Sequence, residues 1–350
     1  MNNNTDYDYI KYLKYKNKYF RLKHKNKIIQ IFGGNKTCNK NQLIKPEDLS
    51  SALDYVKNKY NCLNIKTKTK NKYFVILYGP PASGKTLARK IACDFIKKNF
   101  QETLTLEEIL NTFIDTSIDD IVYDVEYEKN VSLKTHLVNL LNKAFEHKSN
   151  LDTKSDIDYE TSIAKDFTKD FTKDFSKDFS KDNVKEQLKQ NIDLYFEYRK
   201  NRNIDGISAL LAASASYINF NVFFETASPS FDYIRDLINT LFYSNYKIIF
   251  IYPYTEDENI LIERSKKRGL EEGRIPPAEF ITYMKTKCYE QYLYHTDKEN
   301  TNAIINMNKD IIFVKYNTVL NENLYKSINA YEPLKDEDEK EINLEIIKKK

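Results

Sequence analysis

Residues Tyr73 to Tyr78 are apolar or aromatic without exception, and they run straight into Gly79-Pro80-Pro81-Ala82-Ser83-Gly84-Lys85-Thr86. The run reads as a buried strand, and Thr86 to Ile96 carries the three-and-four apolar spacing of a helix. The octet between them satisfies GxxxxGK[ST] in the strand-then-helix setting that the motif requires. Gly79 and Gly84 let the backbone wrap so that amide N–H groups converge on a phosphate, with the positive end of the helix behind them. Lys85 is placed to reach the β and γ oxygens of a nucleotide, and the Thr86 hydroxyl to ligate magnesium. ATP and Mg2+ are therefore the expected ligands of the whole octet.

Alternation along the chain sets the fold class. Strand-like runs recur at roughly Thr112 to Ile118, Ile218 to Phe224, Lys247 to Tyr252 and Ile311 to Tyr316. Helical spacing separates them at Leu133 to Phe145, Val184 to Tyr198, Phe231 to Phe242 and Ile260 to Lys267. Strands alternating with helices predict an α/β protein: a P-loop kinase-type parallel sheet with helices on both faces.

Three segments stand outside this plan. The opening, 1–45, is a basic leader that interleaves Tyr and Lys, as in KYLKYKNKYF, and ends in Gly33 and Gly34. A capped helix is expected from about Pro46 through Leu49, Ala52 and Val56, so the P-loop domain is assigned to 46–330. Within it, Lys165 to Asp182 repeats the unit KDFT or KDFS almost without change, a low-complexity insertion assigned to 150–183. The charged tail, 331–350, reads as a solvated or helical extension.

The 350 residues carry 55 Lys and Arg against 51 Asp and Glu, too small an excess to mark the whole chain as a nucleic-acid binder. The leader alone allows nucleic acid as a partner, without favouring it. Four cysteines, Cys38, Cys62, Cys93 and Cys288, form no CxxC pair and suggest neither zinc nor disulfides. No apolar run approaches the ~18 residues of a membrane span, and no signal-like start precedes the leader. An intracellular protein of host cytoplasm or virion is expected.

A P-loop does not say what receives the phosphate. The second predicted strand ends in FIDTSIDDIV, which puts Asp115, Asp119 and Asp120 where an open α/β sheet binds its ligands. Any of the three carboxylates could take a proton from an attacking hydroxyl. The third strand ends NVFFET, and Glu225 stands where a Walker B acid would order the magnesium shell. After the fourth strand, ILIERSKKRGLEEGRIPP groups Arg264, Arg268 and Arg274 with Gly269 and Gly273. That is the composition of a hinged cationic lid able to neutralise charge on a transferring phosphoryl group.

In chain order, GPPASGKT, FIDTSIDDIV, NVFFET and IER...EGRIPP resemble the zeta-toxin family of P-loop kinases, from about Tyr73 to Tyr316 with the repeat set aside. The resemblance implies an ATP- and magnesium-dependent kinase that phosphorylates a hydroxyl; bacterial members act on a UDP-linked amino sugar. It implies that Lys85 and Thr86 are the Walker residues, Asp119 the general base with Asp115 as alternative, and Glu225 the acid of the third strand. It further implies that Arg264 and Arg274 contact ATP. The family's EGTGR is replaced here by Glu225-Thr226-Ala227-Ser228-Pro229 and the repeat falls in the acceptor-side region, so the acceptor does not carry over; the sequence does not reveal whether there is an antitoxin-like partner. The leader also resembles the openings of many proteins of giant viruses of amoebae. Two other classes fit the same P-loop: an ATP-hydrolysing, nucleic-acid-associated NTPase, and a degenerate ATP-binding module.

Overall fold

The computed structural model describes residues 69–123, 126–128, 131–152, 182–217, 220–228, 231–242, 245–307, 310–318 and 344–348. The leader, the helix expected near Pro46 and residues 153–181 of the insertion lie outside the described residues.

Strand β1 (Lys72–Tyr78) is the centre of the fold because every residue from Tyr73 onward is apolar on both faces, and all six are at most 1% exposed. A strand so buried must have neighbours on both edges and helices on both faces. Its edges pair in parallel with β5 (Asn221–Thr226) and β6 (Tyr246–Tyr254). Beyond them lie β2 (Phe113–Asp115) and β7 (Ile311–Asn317), also parallel, so the order is β2-β5-β1-β6-β7 with β8 (Leu344–Lys348) at the edge. β8 runs antiparallel to β7. Part of the charged tail is thus an edge strand, solvent-facing as expected but extended and not helical, with Leu344 partly buried against the core. A separate two-stranded hairpin joins β3 (Glu126–Glu128) to β4 (Val131–Ser132).

The two faces of the sheet divide by residue parity, as period-two side chains require. Tyr73, Val75 and Leu77 meet α1 (Lys85–Asn99) and α2 (Leu106–Asn111). Phe74, Ile76 and Tyr78 meet α6 (Ile204–Tyr217), α7 (Asp232–Phe242) and α9 (Ala278–Thr296). This is the parallel, doubly covered sheet that the alternation predicts. Burial of each large side chain here is worth about 1.5–3 kcal/mol.

The remaining helices build a lobe over the carboxyl end of β2. Helices α3 (Ile118–Tyr123), α4 (Leu133–Asp152) and α5 (Asp182–Asn201) pack with α6 through Val122, Leu133, Leu137, Tyr195 and Leu211. A smaller cluster, Leu141, Val184 and Leu188, presses the α4–α5 pair against Leu270 and Ile275 at the end of α8 (Glu258–Glu272).

The second strand is shorter than Thr112 to Ile118. The Thr112 hydroxyl donates to the Ile109 carbonyl, 2.6 Å, and Asp115 accepts from the Ser117 amide, 3.0 Å, which turns the chain into α3. Helix α6, which the periodicity does not single out, is apolar on two sides because it touches both the sheet and the lobe.

Candidate active site

The chain leaves β1 toward β2 on one side, and later leaves β5 for β6 on the other, so the carboxyl end of β1 is the topological switch point where such sheets bind ligands. The Gly79 amide donates to the Thr226 carbonyl, 3.3 Å, and anchors the loop to the neighbouring strand. Ala82 (φ 59°) and Gly84 (φ 91°) both adopt left-handed backbone, which only Gly visits without strain. Gly84 ends the loop as the N-cap of α1; its carbonyl accepts from the Tyr316 hydroxyl, 2.9 Å.

Several features of this loop fit a phosphate. No side chain caps α1, and its first turn holds no acidic residue, so its amides carry uncompensated positive potential. Ser83 is 1% exposed, and its hydroxyl has no hydrogen-bond partner among the described residues. Such a buried polar group costs free energy until a ligand meets it. Lys85, almost fully buried, folds over the loop and donates to the carbonyls of Gly79 and Pro80 at 3.2 and 2.9 Å. Burial pushes the Lys85 ammonium pKa down, and Glu225, 3.7 Å away, works against that shift. Thr86 lies exposed at the mouth.

Glu225, near the end of β5, meets Arg89 of α1 at 3.1 Å, and the same guanidinium meets Asp115 of β2 at 2.6 Å. Burial raises the Glu225 carboxyl pKa; Lys85 and Arg89 oppose the rise, while Asp119 and Asp115 add to it. Among the described residues no group of three His, Cys, Asp or Glu could hold a metal ion unaided. A magnesium ion here would need ligands from elsewhere, such as nucleotide phosphates and water, as is usual for this small, strongly hydrated ion.

A second constellation lies on the β2 side. Asp119, on the first turn of α3, accepts from Arg274 at 3.1 Å, from the Tyr195 hydroxyl in a short hydrogen bond, and lies 3.6 Å from Arg268. Burial alone would raise the Asp119 carboxyl pKa, but Arg274, Tyr195, Arg268 and Lys85 outweigh it and hold the group below the usual aspartate range. The Arg274 guanidinium stacks over the Tyr195 ring at 3.7 Å and lies 5.4 Å from that of Tyr123. It donates to the Tyr123 hydroxyl, which in turn donates to Glu272, 2.8 Å. Arg264 lies elsewhere: it donates to the Thr318 carbonyl, 2.8 Å, and Thr318 is the nearest side chain to Gly84.

Of the residues expected from sequence, the fold brings Lys85 and Glu225 together, and Asp119 and Arg274 together. It separates the candidate bases, for Asp115 faces Arg89 and Asp119 faces Arg274. Asp120 falls on the next turn position of α3. The hinged lid takes a different form: α8 runs unbroken through Gly269 to Glu272, and only Gly273 (φ 72°) turns the chain. Residues the sequence reading did not assign are Arg89, Tyr195, Tyr123 and Asn191. Arg89 was legible, four residues after Lys85 and hence on the same helical face. Tyr195 and Asn191 reach the site from a helix far along the chain, and no local pattern marks them.

No protein-family model matches the chain. It is 30% identical over 293 residues to uncharacterized protein L872 of Acanthamoeba polyphaga mimivirus, covering 82% of this chain and 74% of that protein. A solved structure from the PezAT chromosomal toxin-antitoxin system of Streptococcus pneumoniae aligns over 81% of this chain and 84% of its own, with 13% identity and a TM-score of 0.39. The chain belongs to the family of the mimivirus protein L872. Among the described residues no helix is long and apolar enough to cross a membrane.

Proposed function

We propose that this member of the L872 family is an ATP-dependent P-loop phosphotransferase that moves the γ-phosphoryl group to a hydroxyl of a small molecule. A nucleotide sugar is the acceptor class that the zeta-toxin resemblance suggests. The observation that carries the reading is the pairing, at one end of one sheet, of a phosphate cradle around Lys85 with a separate carboxylate, Asp119, held by Arg274. Both a hydrolase and a kinase need a group that orients the attacking oxygen; the enclosed carboxylate, partnered by a tyrosine and two arginines, favours an acceptor hydroxyl over bulk water in this reading.

In this reading the loop amides, Ser83 and Lys85 hold the β- and γ-phosphates, and Thr86 and Glu225 hold magnesium, which would neutralise charge between those phosphates. Arg264 approaches from the Thr318 side of the loop and Arg274 from the acceptor side. The Asp119 carboxylate takes the proton of the acceptor hydroxyl as its oxygen bonds to the γ-phosphorus. The bond between that phosphorus and the β–γ bridging oxygen breaks, and ADP leaves. While Arg274 pairs with Asp119 the carboxylate is a weak base. A γ-phosphate that shares the charge of the guanidinium would raise its proton affinity when the reactants are in place.

The test is ATP consumption by wild type and Lys85→Ala, with magnesium, against a panel of nucleotide sugars, nucleosides and oligonucleotides. Transfer to one small hydroxyl acceptor, abolished in the variant, supports the proposal. Turnover driven only by oligonucleotides and lost on removing residues before Gly33 would replace it with a nucleic-acid-associated NTPase. Nucleotide binding without any turnover would favour a degenerate module.

A further inference from the structure

Tyr195 is buried between Asp119 and Arg274. One side chain, carried by α5, makes two contacts with groups from different parts of the chain: its hydroxyl donates to Asp119 on α3, and its ring lies 3.7 Å beneath the Arg274 guanidinium after α8. We infer that Tyr195 is the positioning residue of this site, a single rigid side chain that sets the spacing between the Asp119 carboxylate and the Arg274 guanidinium. The inference rests on the phosphotransferase reading for its purpose, but the contacts themselves do not.

Three observations favour a positioning role over plain core packing. Tyr195 is 1% exposed, so its ring cannot swing without opening the lobe. Burial, with Asp119 next, pushes its phenol pKa far above the ordinary tyrosine value, so it keeps its proton and remains a donor at every working pH. It therefore does not act as a base itself. The ring also stacks on a cation that has two further fixed partners, Asp119 at 3.1 Å and the Tyr123 hydroxyl, so the guanidinium plane is defined from three sides.

The surroundings of Asp119 bear on any titration. Facing it or coupled to it are Arg274 and Arg268 from α8 and its following loop, Tyr195 and Arg199 from α5, Tyr123 from α3, Lys85 from α1 and Glu225 from β5. Tyr195→Phe deletes one hydrogen bond and leaves the ring stack and every one of these charges. Tyr195→Leu deletes the stack as well.

The experiment compares wild type, Tyr195→Phe and Tyr195→Leu by pH dependence of kcat/KM and by carbon-13 NMR titration of labelled aspartate, with Asp119→Asn identifying the Asp119 signal. In Tyr195→Phe the Asp119 titration and the acidic limb should both move up by about one pH unit, with KM for ATP unchanged. Tyr195→Leu should in addition raise KM for ATP about tenfold. A Tyr195→Phe protein whose Asp119 signal and acidic limb stay in place would overturn the inference, whatever its melting temperature. Absence of phosphotransfer in wild type would instead sink the proposed function, and the NMR titration would still decide the role of Tyr195.

Discussion

The side-chain amide of Asn191 donates to the Gly273 carbonyl at 2.6 Å, joining residues 82 apart in the chain. The same amide donates to the Leu137 carbonyl at 3.0 Å, and Asn191 is fully buried. One amide thus clips α4, α5 and the turn that carries Arg274 into a single unit. The arginine next to Gly273 is held by this clip before any ligand arrives, so the turn acts as a fixed corner and not a free hinge.

Gly273→Ala should be severely destabilising. A β-carbon there would lie 2.4 Å from the Leu137 carbonyl carbon and 2.5 Å from the Val138 nitrogen, both backbone atoms, at a φ of 72°. Strain and overlap together should cost about 3 kcal/mol. Chemical denaturation checks it, and a melting curve unchanged from wild type would refute the clip.

Arg89→Met should leave Glu225 and Asp115 facing each other with only Lys85 nearby. Removing the cation from so enclosed a group should cost about 3 kcal/mol. The sign of its pH dependence follows from Glu225, whose folded pKa is already raised and would rise further. The folded state then binds a proton that the unfolded state has released, so the deficit grows as pH rises above the ordinary glutamate value of 4.5. Denaturation at pH 5 and pH 8 should show the larger loss at pH 8.

Arg274→Lys keeps the charge but loses the planar stack on Tyr195 and the forked contact with Asp119 and Tyr123. Phosphotransfer should fall roughly 100-fold, the scale of losing one aligned donor to developing charge. Steady-state kinetics on the acceptor found by the substrate panel measures it; wild-type rates in the variant would remove Arg274 from the chemistry.

Acid should unfold the protein in two separable windows. His295 is 3% exposed, and its Nδ1 accepts from the Ile304 amide, so the fold requires the neutral ring. Burial, then Arg235, pushes its pKa down from 6.5 to about 4, with Asp232 opposing. Its contribution is complete above pH 6.5 and is lost as pH falls toward 4, amounting to about 3 kcal/mol. Asp119, with its lowered pKa, acts in a lower window: its stabilisation is present above 3.8 and is lost as pH falls through the folded value. Stability measured from pH 7 to 3 should flatten in the upper window for His295→Gln and in the lower one for Asp119→Asn.

The residues from Tyr73 to Thr86 were enough, read alone, to place the central strand, the phosphate loop and the helix behind it. All three depend on local chemistry: an unbroken apolar run, two glycines and a lysine at fixed spacing. The alternation of patterns likewise implied the parallel sheet, since period two and period 3.6 are properties of neighbouring residues. The sheet order, the edge strand Leu344–Lys348 and the two-sided helix Ile204–Tyr217 were not legible, because burial on more than one side erases the amphipathic stripe and pairing partners leave no trace in local spacing. The same limit divides the candidate site. By position alone the three acids near the end of the second strand were equivalent, and only the family resemblance favoured Asp119; the tertiary structure turns Asp115 toward Arg89 and Asp119 toward Arg274. Tyr195 and Asn191 entered the site solely because α5 folds back across the lobe. The chain itself determined the glycine-rich loop and its lysine, while three-dimensional packing decided which carboxylate and which arginine face each other, since the energies that pair them act through space between residues the sequence keeps far apart.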